Sequence, residues 1–255
     1  MWPMVPPERP LRRVLLTALT ALTALGLGSV TVGCASATSA TDAADDRAGV
    51  ARAAAPVVSV ESQTRAGPSG LADRPSTVAM VGDSITVASA ERLDDALSAL
   101  DLEVLVVDAQ VGRRMTVGER DRLFTGADIV ELVAHEHSPE LWVIALGTND
   151  IGQYGDPAEV AEQIEVLLSR LPAGAPVVWV DTWFRGRDEQ TAMVNAAIHS
   201  VIGARPDSYV VEWSAHAGHE GVLSGDGVHL TTGVGVERFA EVVASGVETL
   251  LGAPD

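Results

Sequence analysis

The sequence predicts an α/β domain built on a five-stranded parallel sheet with helices on both faces. Two patterns predict it. Thr77 to Val81, Glu103 to Val107, Leu141 to Leu146, Pro176 to Val180 and Tyr209 to Glu212 are short and rich in Val, Ile, Leu and Trp. They are apolar throughout rather than in alternation, as strands buried on both faces must be. Between them, apolar residues recur at helical spacing: Leu93, Ala96, Leu97 and Leu100, then Val160, Ile164, Leu167, Leu168 and Leu171, and finally Phe239, Val242, Val243, Val247 and Leu250. Strand and helix alternate, which implies right-handed crossovers and a parallel sheet covered on both sides.

What precedes this domain has a different character. Arg9, Arg12 and Arg13 lead into an uncharged run from Val14 to Val32, followed by Gly33, Cys34 and small residues, the pattern of an export signal. Arg12-Arg13 followed by Leu15 hints at twin-arginine export. The single cysteine stands in Thr31-Val32-Gly33-Cys34, which resembles the lipobox of bacterial lipoproteins and would make Cys34 a lipidation site. Cleavage near Ala35-Ser36-Ala37 is the other reading. Residues 35–76 hold mostly Ala, Ser, Thr, Asp, Gly and Pro, too few large apolar side chains to offset the entropy of ordering, and so are expected to form a flexible tether. The organisation expected is a signal over 1–34, a tether over 35–76 and a folded domain over 77–252.

Composition removes several chemistries. All 17 basic residues are arginine, so no mechanism that needs a lysine amine is available, neither a Schiff base nor the P-loop or kinase lysine. One cysteine makes no intrachain disulfide and no cysteine-rich zinc site. A formal charge of −18 offers no basic face for nucleic acid.

In open parallel sheets, ligands bind beyond the carboxyl ends of the strands. The segments there are polar and contain glycine: Gly82-Asp83-Ser84, Gly112-Arg113-Arg114, Gly147-Thr148-Asn149-Asp150 and Asp226-Gly227-Val228-His229. Ser84 falls at a strand-to-helix junction, where a hydroxyl can stand at the sheet edge as a nucleophile or serve merely as a helix N-cap. A serine hydroxyl needs an imidazole to take its proton, and the imidazole needs a carboxylate to fix its tautomer. Asp226-x-x-His229 can supply both from one turn, although such a pair is also common in solvated loops. Acyl transfer further needs donors for a developing oxyanion. The candidates are the backbone N–H of Ser84, that of Gly112 and the side-chain amide of Asn149, the last of which also suits a turn.

Taken together and in this order, Gly-Asp-Ser, a loop glycine, Gly-Thr-Asn-Asp and Asp-x-x-His resemble the SGNH or GDSL hydrolase family. The resemblance spans Val78 to about Leu251. It implies a flavodoxin-like three-layer α/β/α sandwich, with Ser84 as nucleophile, His229 as base, Asp226 as its partner, and Ser84, Gly112 and Asn149 as the oxyanion hole. Val107 to Arg113 and Trp213 to His219, with Asp226 to Leu230, are further similar to the extracytoplasmic SGNH domain of peptidoglycan O-acetyltransferases. In those proteins a polytopic membrane module commonly supplies acetyl groups. Here only a signal and tether precede the domain, so transfer would call for a separate membrane acyl-donor protein. The asparagine typical of the second block in many relatives is not found near Gly112. No Gly-x-Ser-x-Gly elbow occurs, which disfavours the α/β-hydrolase fold.

The expected activity is therefore an exported serine esterase acting on a small acyl ester or an O-acylated glycan, extracytoplasmic and either secreted or held at a membrane surface through lipid. An O-acetyltransferase and a non-catalytic glycan-binding protein are the alternatives. No cofactor or metal is expected: His135 with His137, and His216 with His219, each lack an assignable third ligand. Asp83 and Asp150 are read as braces of their turns, Arg113 and Arg114 as a solvated or salt-bridged pair, and Trp183 and Phe184 as buried rather than sugar-stacking.

Overall fold

The computed structural model describes residues 71, 73–118 and 124–252; the export segment, Cys34 and nearly all of the tether lie outside them. The strands are β1 (Thr77–Gly82), β2 (Glu103–Ala109), β3 (Leu141–Ala145), β4 (Val177–Val180) and β5 (Ser208–Val211). All pair in parallel, in the order β2-β1-β3-β4-β5. This is the flavodoxin-like order, and it bears out the fold class read from the sequence.

The helices are α1 (Ser84–Ser98), α2 (Gly126–His137), α3 (Pro157–Leu168), α4 (Asp188–Gly203), the short α5 (Ser214–Ala217) and α6 (Val234–Leu251). Side chains alternate across the sheet, and both faces are used. Val78 and Met80 of β1 pack with Leu93 and Leu97 of α1 and with Phe239, Val243 and Val247 of α6. Ala79 and Val81 turn the other way, toward Val130 of α2, Ile164 of α3 and Val194 and Ile198 of α4. A strand buried on both sides has no polar face, which is why these runs read as continuously apolar. Each fully buried Val, Leu or Phe contributes about 1.5–3 kcal/mol relative to exposure. Trp179 is fully buried and its Nε1 donates to Leu146 O at 3.1 Å, while Trp213 meets Phe239 edge to face at 5.0 Å.

Local signals set the helix starts. Thr125 and Asp128 form a reciprocal capping box on α2. Asp156 caps α3, with Pro157 at its first position. The apolar patterns named above do not include α2 and α4. In α4 the buried side is Thr191, Val194, Ala197, Ile198 and Ile202, a stripe diluted by small and polar members. Leu171 lies past the end of α3 but is buried.

The last residues of the segment read as tether are attached to the domain. Leu71 packs against the core and Pro75 is buried. Arg74 donates to Leu100 O at 3.2 Å, and the N–H and hydroxyl of Ser76 both donate to Glu140 Oε2, at 2.7 and 2.8 Å. Leu100 and Glu140 precede β2 and β3, so the chain enters at the amino ends of the strands. Among the described residues no helix is long and apolar enough to cross a membrane.

Candidate active site

The chain leaves β1 toward β2 and leaves β3 toward β4, in opposite directions across the sheet. The two loops therefore diverge and open a crevice at their carboxyl ends. Ser84 stands on one side of it, as the first residue of α1, and Asn149 on the other, in a 3-10 turn over Thr148–Asp150. Gly82 lets the chain turn into α1, because a Cβ there would overlap the Thr86 side chain.

The cap of α1 is Asp83, not Ser84: its Oδ1 accepts from Ile85 N at 2.9 Å. That leaves the half-buried Ser84 hydroxyl free of the capping role. Its Oγ lies 3.1 Å from His229 Nε2. On the far side of the ring, His229 Nδ1 lies 2.8 Å from Asp226 Oδ2. The ionised carboxylate can only accept, so Nδ1 carries the hydrogen and Nε2 is left to accept from the serine hydroxyl.

The loop that carries the acid and the imidazole is largely self-supporting. A bridge between the buried Leu223 and Leu230 closes it, and Ser224 N donates to His229 O at 2.8 Å. Asp226 Oδ1 accepts from Val228 N at 2.9 Å, His229 N at 3.0 Å and Ser224 Oγ at 2.8 Å. The Val228 N–H first, then the His229 side chain and N–H, hold the Asp226 carboxyl well below the usual carboxylate range. Both side chains of the pair remain 51% exposed.

The oxyanion candidates differ in readiness. Gly112 has φ of +79°, a conformation that favours glycine, and its missing Cβ leaves open space. Among the described residues neither its N–H nor that of Ser84 donates to a protein acceptor. The loop holding Gly112 is tied to the end of β1, since Gln110 N and Arg113 Nη1 both donate to Gly82 O, at 3.2 and 3.1 Å. Asn149 is positioned but engaged: its Nδ2 donates to Asp83 Oδ2 at 3.2 Å and to Arg113 O at 3.1 Å. The structure thus joins Ser84, His229 and Asp226 in one chain of contacts and links Asn149 to it through Asp83.

Asp83 braces its turn by capping α1, in line with the sequence reading; the burial beneath the site is what the sequence did not disclose. Asp83 is buried, and desolvation pushes its carboxyl up to about 6, against the lowering effect of the Ile85 N–H. Asp150 accepts from Arg114 Nε at 3.1 Å and Met115 N at 3.2 Å, and its burial likewise raises its pKa. Arg113 is no surface group. It is 2% exposed, its Nη2 lies 2.5 Å from Asp108 Oδ1, and its Nη1 donates to Asp108 O at 2.9 Å. A carboxylate five residues before an arginine at a strand end is the one signal that pointed to this pair.

The remaining candidates stand apart from the chain of contacts. His135 and His137 are exposed in the last turn of α2, and the His216 and His219 rings lie 6.0 Å apart around α5. Trp183 and Phe184 are half-buried, one against each core cluster. Among the described residues no three His, Cys, Asp or Glu side chains converge as a metal-binding group.

Comparison with known proteins agrees with this fold. Three solved structures show the same fold. The C-terminal catalytic domain of peptidoglycan O-acetyltransferase A (OatA) of Streptococcus pneumoniae superposes with a TM-score of 0.53 at 21% identity, covering 70% of this chain and 94% of that one. TesA gives 0.57 at 21%, over 69% and 99%. A carbohydrate acetylesterase family member from Sinorhizobium meliloti gives 0.51 at 22%, over 69% and 99%. No curated protein matches. Residues 80–233 match the GDSL-like lipase/acylhydrolase family, a stretch that runs from β1 through Ser84, Asn149, Asp226 and His229, and the chain belongs to that family.

Proposed function

We propose that the protein is a serine esterase that removes acetyl or other short acyl groups from carbohydrate or cell-wall esters outside the cytoplasm. The observation that carries this reading is the unbroken line from Ser84 Oγ through the His229 ring to Asp226, 3.1 and 2.8 Å long. In the first step Ser84 Oγ bonds to the acyl carbon while His229 Nε2 takes the hydroxyl proton. Negative charge gathers on the former carbonyl oxygen, where the free N–H groups of Ser84 and Gly112 can donate to it, joined by the Asn149 amide once it releases Asp83 Oδ2 or Arg113 O. The bond to the alcohol then breaks, and His229 returns the proton to the departing oxygen. Water attacks the acyl carbon next while His229 takes its proton; the bond to Ser84 Oγ then breaks, His229 returns that proton to Oγ, and the acid is released. Asp226 stays ionised throughout and balances the imidazolium.

An O-acetyltransferase would use the same residues with a glycan hydroxyl in place of water. The two sequence blocks that resemble such enzymes mainly build scaffold here: Asp108 and Arg113 form the internal ion pair, and Trp213 is core. The half-exposed imidazole leaves water free access to an acyl-enzyme, which favours hydrolysis. The reading is tested with purified Ser84→Ala on a chromogenic acetyl ester, together with mass spectrometry of an oligosaccharide acceptor. Turnover that survives the substitution overturns the nucleophile; acetylated oligosaccharide replaces the esterase by a transferase; glycan affinity without turnover leaves a binding protein.

A further inference from the structure

Two arginines of the loop after β4 are uncommitted. Every other described arginine meets a carboxylate within 4 Å or donates to a backbone carbonyl. Arg185 and Arg187 are exposed, and among the described residues their guanidinium groups make neither an ion pair nor a hydrogen bond. Arg187 lies over the Phe184 ring at 4.9 Å. Asp188 and Glu189 follow them in the first turn of α4 but pair with neither.

Their placement is specific. Arg185 N donates to Gly227 O at 3.1 Å, and its side chain runs across Gly227 so closely that a Cβ on that glycine would strike it. Gly227 sits between Asp226 and His229. Arg187 Nη1 would lie 2.9 Å from a Cβ on Gly152, three residues beyond Asn149. A single turn, closed by Arg187 N donating to Phe184 O at 3.1 Å, thus sets one guanidinium against the loop of the proposed base and the other against the loop of the asparagine.

We propose that Arg185 and Arg187 form an anion-binding subsite at the mouth of the active site, and that the substrate is an ester whose alcohol portion carries a carboxylate or a phosphate. This rests on the esterase reading. A chain of formal charge −18 repels anions at long range; binding one beside Ser84 needs local cations, and a guanidinium fork matches carboxylate and phosphate oxygens. Arginines serving only as scaffold would be expected to have the partners that Arg113 and Arg114 have.

The test compares kcat/KM of the purified full chain for three acetyl esters: a neutral hexoside, a hexuronate and a hexose phosphate. One or both anionic esters should be favoured about tenfold or more at low salt, mainly through KM. The preference should shrink sharply in about 0.5 M salt and fall toward unity in Arg185→Gln/Arg187→Gln. Which anion is favoured identifies the group recognised. Equal use of all three esters overturns the subsite and leaves the esterase standing, as does a preference that persists both in high salt and in the double variant. No turnover of any ester removes both. Should the double variant fail to fold, the salt dependence of the unmodified protein decides.

Discussion

Asn149 Nδ2 donates to Asp83 Oδ2 at 3.2 Å, so the amide proposed to steady an oxyanion is held by the residue immediately before the proposed nucleophile. One carboxylate serves two functions: its other oxygen caps α1 and sets where Ser84 begins.

That carboxylate links stability to pH. Its folded pKa of about 6 lies above its ordinary value of 3.8. Between those values the folded chain binds the proton and the unfolded chain does not, so stability falls as pH rises through this window, by an amount on the order of 3 kcal/mol. Asp150 acts in the same direction. Asp226 acts oppositely: its lowered pKa gives stability that is present above the ordinary value and lost as the pH drops below it. Urea unfolding across pH 3 to 8 should show a maximum at about pH 4, close to the ordinary aspartate value, and Asp83→Asn should flatten the decline above it. A decline unchanged by that substitution would place its origin elsewhere.

Asn149→Ala removes a donor from the proposed oxyanion hole and leaves Asp83 Oδ2 and Arg113 O without their amide partner. A loss of about 100- to 1000-fold in kcat is expected, with destabilisation of about 1–3 kcal/mol. Steady-state kinetics and thermal melting separate the two. Near-normal kcat in a destabilised variant would reduce Asn149 to a structural bridge.

Asp226→Asn should retain much of the loop, because an amide oxygen can still accept the Val228 and His229 N–H groups. It cannot balance an imidazolium or select the Nδ1–H tautomer as a carboxylate does. A fall in kcat on the order of 100- to 10,000-fold is expected, together with a lower melting temperature as the stability carried by the ionised carboxylate is lost. Equal losses in kcat and stability would instead assign the residue to loop folding.

Arg113→Ala deletes the partner of a nearly buried carboxylate and strands two backbone carbonyls, Gly82 O and Asp108 O. Destabilisation of about 3–5 kcal/mol is expected, read as a shift in the urea midpoint. A change below about 1 kcal/mol would mean that water reaches the site and pairs Asp108 in its place.

The sheet was legible because strands buried on two faces can afford almost no polar residues, and Trp142, Ile144 and Trp179 announce this directly. Helix α4 was not, since Thr191 and Ala197 interrupt its apolar stripe. Within the site, Asp226 and His229 could be read together because three residues separate them. Ser84 is 145 residues from His229, and only the crossovers of the sheet bring the two into contact. The pairs Asp108 with Arg113 and Asp83 with Asn149 escaped notice for a different reason. A charged side chain carries no mark of its own burial, so acidic and basic residues that neutralise each other inside look in a sequence like ordinary surface groups.

The contacts of Ser76 and Arg74 give the domain an orientation. The polypeptide joins it at the amino ends of the strands, whereas the crevice opens at their carboxyl ends, about 20 Å away along a six-residue strand. Any load or attachment applied through the amino-terminal segment therefore arrives at one pole while the mouth faces from the other.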